Sequence, residues 1–275
     1  MIPLGGMSTI LALRVVDTTR AQQLASVQKT PEHERAITAF RDRIANVTTA
    51  EQLVDDHEAY SFVMKAFDLE DQMFGKAMIK KILESDVTDQ RSLVNRLTDP
   101  RFRELHKVMG FTAAGTANAN TKNTIWQNKM VDRYVERQFI NGQSDQNEVL
   151  GTVLEVRRNA PNVTTWFDVL KDKQMGEFMR TSLGIPDSVV QLDIDRQAAI
   201  FAEKFDITKL KDPQEVEKLT LKYVAITDAL NPGNAGPNAA IQIMNNVMYS
   251  GNGNSFVPAT LDISMINFTT KSIYR

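Results

Sequence analysis

The chain has 275 residues, enough to bury a core as one large domain or two small ones, and its 42% hydrophobic and 24% charged content excludes wholesale disorder and membrane residence. With 32 basic against 34 acidic residues the formal charge is −2, so no chain-wide field draws it to nucleic acid or anionic lipid. The absence of cysteine excludes disulfides, thiolate nucleophiles and cysteine-bound zinc, and leaves the redox compartment open.

In segment 1–30, the stretch Ile2-Pro3-Leu4-Gly5-Gly6 precedes Met7, a second candidate start. The apolar run 10–13 is stopped by Arg14 and has no basic stretch before it, so neither a signal peptide nor a membrane span is expected. Helix signals then dominate. Thr30-Pro31 opens a segment with His33, Ile37, Phe40 and Ile44 on one face, and Thr48-Thr49-Ala50-Glu51 reads as a capping box led by Thr48. Stripes run through Met73, Ala77, Met78 and Ile82, through Trp126, Met130 and Tyr134, and through Ile194, Ala198, Phe201 and Phe205. Residues 110–124 are small and polar and read as a loop. The clearest helix starts with Asp212 as N-cap, Pro213 in the first position and Glu215 behind it. It carries Val216, Leu219, Tyr223, Ile226 and Leu230, a seam expected to pack on the Ile194 to Phe205 stripe. Beyond it, 231–237 and 251–254 break any helix, and alternating Leu261, Ile263 and Met265 permit a short strand or extended segment.

A helix with one apolar face gains most of its stability from a partner, so these stripes imply a multi-helix bundle. The tetrapeptide Asn46-Val47-Thr48-Thr49 recurs as Asn162-Val163-Thr164-Thr165, and at the same spacing Arg41 matches Arg157, Phe62 matches Phe178 and Asp71 matches Asp187. Further on, Asp86-Val87-Thr88 parallels Asp206-Ile207-Thr208. The expected fold is mostly α, built from two pseudo-symmetric helical repeats packed together. Repeat one spans 31–109 and repeat two 146–230. Residues 110–145 form a loop and connecting helix, and 231–275 a tail packed on the body.

No catalytic, cofactor-binding or metal residue is assigned. His33, His57 and His106 are dispersed and lack ligand spacing. Asp193 and Asp195 stand two apart, which on a helix points them in different directions, and Asp55-Asp56 and Arg157-Arg158 read as solvent-facing charge. Gly233, Gly236, Gly251 and Gly253 lack a phosphate-loop lysine. Met73, Met78, Met130, Met175 and Met179 read as core, and Trp126 and Trp166 as helix anchors.

The first half carries Val63-Met64-Lys65-Ala66-Phe67-Asp68-Leu69-Glu70-Asp71, Lys76-Ala77-Met78-Ile79-Lys80-Lys81-Ile82-Leu83-Glu84 and Leu97-Thr98-Asp99-Pro100-Arg101-Phe102. The second carries Ala160-Pro161, Leu183-Gly184-Ile185-Pro186, Asp193-Ile194-Asp195-Arg196-Gln197, and Phe205-Asp206-Ile207 before Lys211-Asp212-Pro213. Over nearly its whole length the chain thereby resembles the alphaproteobacterial domain-of-unknown-function family numbered twelve-seventeen, often encoded in flagellar gene clusters. Asp68 occupies a turn position where that family often has glycine. The resemblance supplies no catalytic residues and implies only a process. Three readings follow: a non-enzymatic protein of flagellar assembly or structure acting through protein contacts, a cytoplasmic regulator or chaperone holding a helix in a groove between the repeats, or an enzyme of unrecognised class. The expected partners are proteins, flagellar components or further copies of the chain, in the cytoplasm or exported with flagellar components.

Overall fold

The computed structural model describes residues 2–4 and 7–230, so the readings on 231–275 lie outside the described residues. Most helices begin where a side-chain oxygen accepts one of the orphan backbone N–H groups. Ser8 caps α1 (Thr9–Gln28), Thr49 caps α3 (Ala50–Asp55) and Asp56 caps α4 (His57–Ala66). Asn123 caps α8 (Thr124–Ser144), and Asn147 caps α9 (Glu148–Asn159). Thr165, Asp172 and Asp193 cap α10 (Trp166–Lys171), α11 (Lys173–Leu183) and α12 (Ile194–Lys204). Proline fills the first position of α2 (Pro31–Ile44), α7 (Pro100–Met109) and α13 (Pro213–Leu230), where its missing N–H costs nothing. The short α5 (Lys76–Leu83) and α6 (Leu93–Arg96) complete thirteen α-helices, with no strand among the described residues.

The capping register differs from the sequence expectation by one residue. Thr49 Oγ1 accepts from the Gln52 amide at 3.1 Å, and Gln52 Oε1 accepts from the Thr49 amide at 3.2 Å. Thr48 accepts no helix N–H and instead donates both its amide, at 2.8 Å, and its hydroxyl, at 2.9 Å, to Gln52 Oε1. The carboxylate of Glu51, which would have closed a Thr48 box, is instead held by Lys80 Nζ at 2.7 Å. Thr165 and Asp168 form the matching box in the second half.

Other local structures also recur in order. After α4 the Leu69 amide reaches back to the Met64 carbonyl at 2.9 Å, with Asp68 left-handed at φ 59°. After α11 the Ile185 amide reaches the Arg180 carbonyl at 2.9 Å, with Gly184 at φ 65°. Both are the paired backward bonds that close a helix on a left-handed residue. Asp86 Oδ1 then accepts from the Thr88 amide at 2.8 Å, as Asp206 Oδ1 does from Thr208 at 3.0 Å. Long-range packing is less regular: α4 lies on α8, beyond the expected first repeat, whereas α11 lies on α13, inside the second.

The helix expected as a connector, α8, runs through the middle, burying Met130, Val131, Tyr134, Val135, Phe139 and Ile140 against α4, α9 and α1. Phe40 stacks on Phe62 at 4.1 Å between ring centres, and Phe62 on Tyr134 at 4.2 Å. Each such pair contributes about 0.5–1.5 kcal/mol beyond the area it buries. In the second half Phe178 meets Tyr223 at 4.8 Å, joining α11 to α13.

Two stripes depart from expectation. The seam of α13 packs on α11, α9, α1 and the turn Ile207–Lys211, while α12 lies on α10 through Phe201 and Trp166. Phe201 is the one fully buried residue of α12, with Ala198 half-buried beside it, and the contacts of that face go to α10. The seam itself buries Val216, Leu219, Tyr223 and Val224, but Ile226 is half-buried and Leu230 is 73% exposed. In α5 the buried residues are Ile79, Ile82 and Leu83, with Ala77 outside, because the helix starts only at Lys76 and Met73 belongs to the preceding turn.

Candidate docking surface

The three histidines stay apart. His33 Nδ1 lies 2.9 Å from the Tyr134 hydroxyl, His106 Nε2 lies 2.9 Å from the Ser85 carbonyl, and His57 is exposed at the start of α4. Burial pushes the Tyr134 phenol up to about 12 and pulls His33 below its ordinary value. Asp193 caps its helix and Asp195 faces solvent. Among the described residues no group of three His, Asp or Glu side chains is placed to hold a metal ion.

Of the charges read as solvent-facing, Asp55 is exposed as expected, while Asp56, Arg157 and Arg158 are structural. Asp56 caps α4 and meets Arg43 at 3.2 Å. Arg157 bridges Asp17, at 2.8 Å, and Glu217, tying α9 to α1 and α13. Arg158 joins a buried network in which Glu155 takes both guanidinium nitrogens of Arg137, at 3.0 and 2.9 Å, with Arg158 at 3.2 Å and Asn159 at 2.9 Å. Burial alone would raise the Glu155 carboxyl, but the Arg137 and Arg158 guanidiniums outweigh it and hold the group below the usual range. The Arg137 side chain is only 4% exposed and also faces the Asp68 carboxylate at 3.7 Å, so the network pins α8, α9 and the turn after α4. Nearby, burial raises the Asp172 carboxyl, which caps α11. These groups engage one another across helix joints, an arrangement of clamps in which removing one partner strands a buried charge.

The surface is different. Phe74, in the turn before α5, is 98% exposed. A few residues further along the chain, a shallow depression of about 470 Å³ is lined by Ala77, Met78 and Leu93 together with Lys81, Arg91 and Arg96. In the second half, Val190, Leu192 and Ile194 lead into α12 and are 50%, 37% and 48% exposed. Position 74 stands to 190 as Phe62 stands to Phe178, so each half leaves an apolar side chain exposed at the corresponding position, while Met78, opposite Ile194, is half-buried. Sequence reading missed Phe74, Val190 and Leu192, because none belongs to a helical stripe. The available signal was a bulky apolar residue beside Gly75, out of phase with Ile79 and Ile82. A second depression, of about 780 Å³, is lined by the mixed charges of Glu34, Arg35, Asp42, Arg43 and Glu58, of which Arg43 already pairs with Glu58.

No curated protein matches the chain. An X-ray crystal structure of protein AGR_C_984 from Agrobacterium tumefaciens is similar to it, with 28% identity and a TM-score of 0.73, over 82% of this chain and 95% of that one. Residues 66–216 match the family model described as Protein of unknown function (DUF1217). With more than half of its length inside that model, the chain belongs to the DUF1217 family.

Proposed function

We propose that the chain is a non-enzymatic binding protein that acts through protein–protein contacts in flagellar assembly or structure. The observation that carries the binding role is Phe74, a large ring 98% exposed in the turn before α5, with an exposed apolar cluster at Val190, Leu192 and Ile194 in the other half. Single exposed apolar side chains are ordinary, but exposure at corresponding places in both halves supports interaction surfaces. The flagellar setting rests on the resemblance alone. A groove between the halves has less support, because α8 packs directly on α9 there and Arg137 and Glu155 lock that joint.

The test is recovery of partners from motile cells that encode the chain, together with fractionation into cytosol and detached flagella. Wild-type protein is expected to bring down flagellar components and Phe74→Ser to lose them while keeping its helical spectrum. Equal recovery by both proteins, or the absence of flagellar components, overturns the reading.

A further inference from the structure

We infer that the occupant of the α5–α6 face is the α12 face of a second copy of the chain, bound head to tail; this rests on the binding role proposed above. The two faces carry opposite charge where they are lined: cations at the depression, with the exposed carboxylates of Asp86 and Asp89 in the α5–α6 loop outside that lining, and mainly carboxylates before α12. Lys81, Arg91 and Arg96 line the depression with Met78 and Leu93, a short way along the chain from Phe74, and none of the three forms an ion pair with a described residue. Around Val190, Leu192 and Ile194 stand Asp187 and Asp195. Asp187 is 93% exposed at its side chain and pairs with Arg180 at 3.5 Å through one carboxylate oxygen, and Asp195 is exposed and unpaired among the described residues. Arg196 is the one cation in 187–196.

Pairing α5 with α5 would set Lys81, Arg91 and Arg96 against their own copies, and pairing α12 with α12 would set Asp187 and Asp195 against theirs. Pairing α5 with α12 covers both apolar clusters and joins opposite charges, so complementarity selects the heterologous arrangement. Within one copy α5 packs on α3, α6 and α7, and α12 on α10, so the faces lie on different halves. Each copy can therefore engage two neighbours, and the contact propagates into a ring or filament.

The experiment is sedimentation velocity of the full chain over a range of concentrations at low and high salt. The average sedimentation coefficient is expected to rise with concentration, and to rise less in high salt. Lys81→Glu with Arg96→Glu, and separately Asp187→Lys with Asp195→Lys, should each weaken association by about tenfold or more. An equimolar mixture of these two double variants restores complementary faces and should regain it, a rescue that misfolded protein cannot give. Monomer at every concentration, or failure of the mixture to recover, overturns self-association. If the chain stays monomeric yet loses flagellar components on Phe74→Ser, the second-copy assignment falls and the binding role stands.

Discussion

Gly184→Ala isolates the cost of one backbone conformation. Gly184 ends α11 at φ 65° and ψ 35°, and its amide donates to the carbonyls of Arg180 and Thr181. A Cβ added there meets nothing within 4 Å, so no clash contributes and the left-handed geometry alone sets the penalty. That geometry costs an alanine roughly 1–2 kcal/mol. Loss of glycine's freedom in the unfolded chain offsets about 0.4–1 kcal/mol of it. The net loss expected is about 1 kcal/mol, read as a lower urea midpoint with an unchanged slope. Gly184→Asp should cost less, since aspartate tolerates the left-handed region better, and Asp68 already sits at φ 59° in the corresponding turn. If the halves are copies of one unit, the two residues are interchangeable here. At Gly115, by contrast, a Cβ would lie 2.9 Å from that of Ala50 and 2.6 Å from Glu84 Cγ, so alanine there should cost more than at Gly184. A neutral or stabilising Gly184→Ala, or an alanine penalty no greater at Gly115, would refute the reasoning.

Thr49→Ala should lower stability by about 1 kcal/mol through loss of the cap, and Thr48→Ala by less; the reverse order in urea midpoints would place the cap at Thr48 after all. Leu219→Ala empties a buried site and should cost roughly 2–5 kcal/mol, whereas Leu230→Ala, at the exposed end of the same helix, should stay within about 0.5 kcal/mol. Because burial depresses His33 in the folded state, the unfolded chain binds the extra proton first as pH falls. Its contribution is therefore complete above about pH 6.5 and declines as pH drops from there through the depressed folded value. Melting temperatures followed through that window should fall less for His33→Gln than for wild type, and identical slopes would dismiss the effect.

Helix starts were legible in the sequence because they depend on adjacent residues: Asp212 with Pro213 fixes the beginning of α13 in any packing. The turn at Asp68 came from the family resemblance, since a position where relatives often have glycine is one where φ can be positive. The choice of helix partner was not, because periodicity gives a helix an apolar face without naming what covers it. Thus α13 settles on α11 instead of α12, and α8 becomes a core helix although a polar loop precedes it. Ion pairs were hidden by distance along the chain: Arg157 finds Asp17 on α1 and Glu217 on α13, neither near it in sequence. The docking surface was hidden because Phe74 announces itself only by failing to be buried.

The most direct measurement places a photoreactive phenylalanine analogue at position 74 and irradiates motile cells carrying this chain. A second copy carries it at the exposed Lys222, on the outer side of α13, as control. The account predicts specific adducts at 74, either a second copy of the chain or a flagellar component, and none of them at 222. Adducts no more abundant at 74 than at 222 would contradict the claim that this protein works through the face around α5.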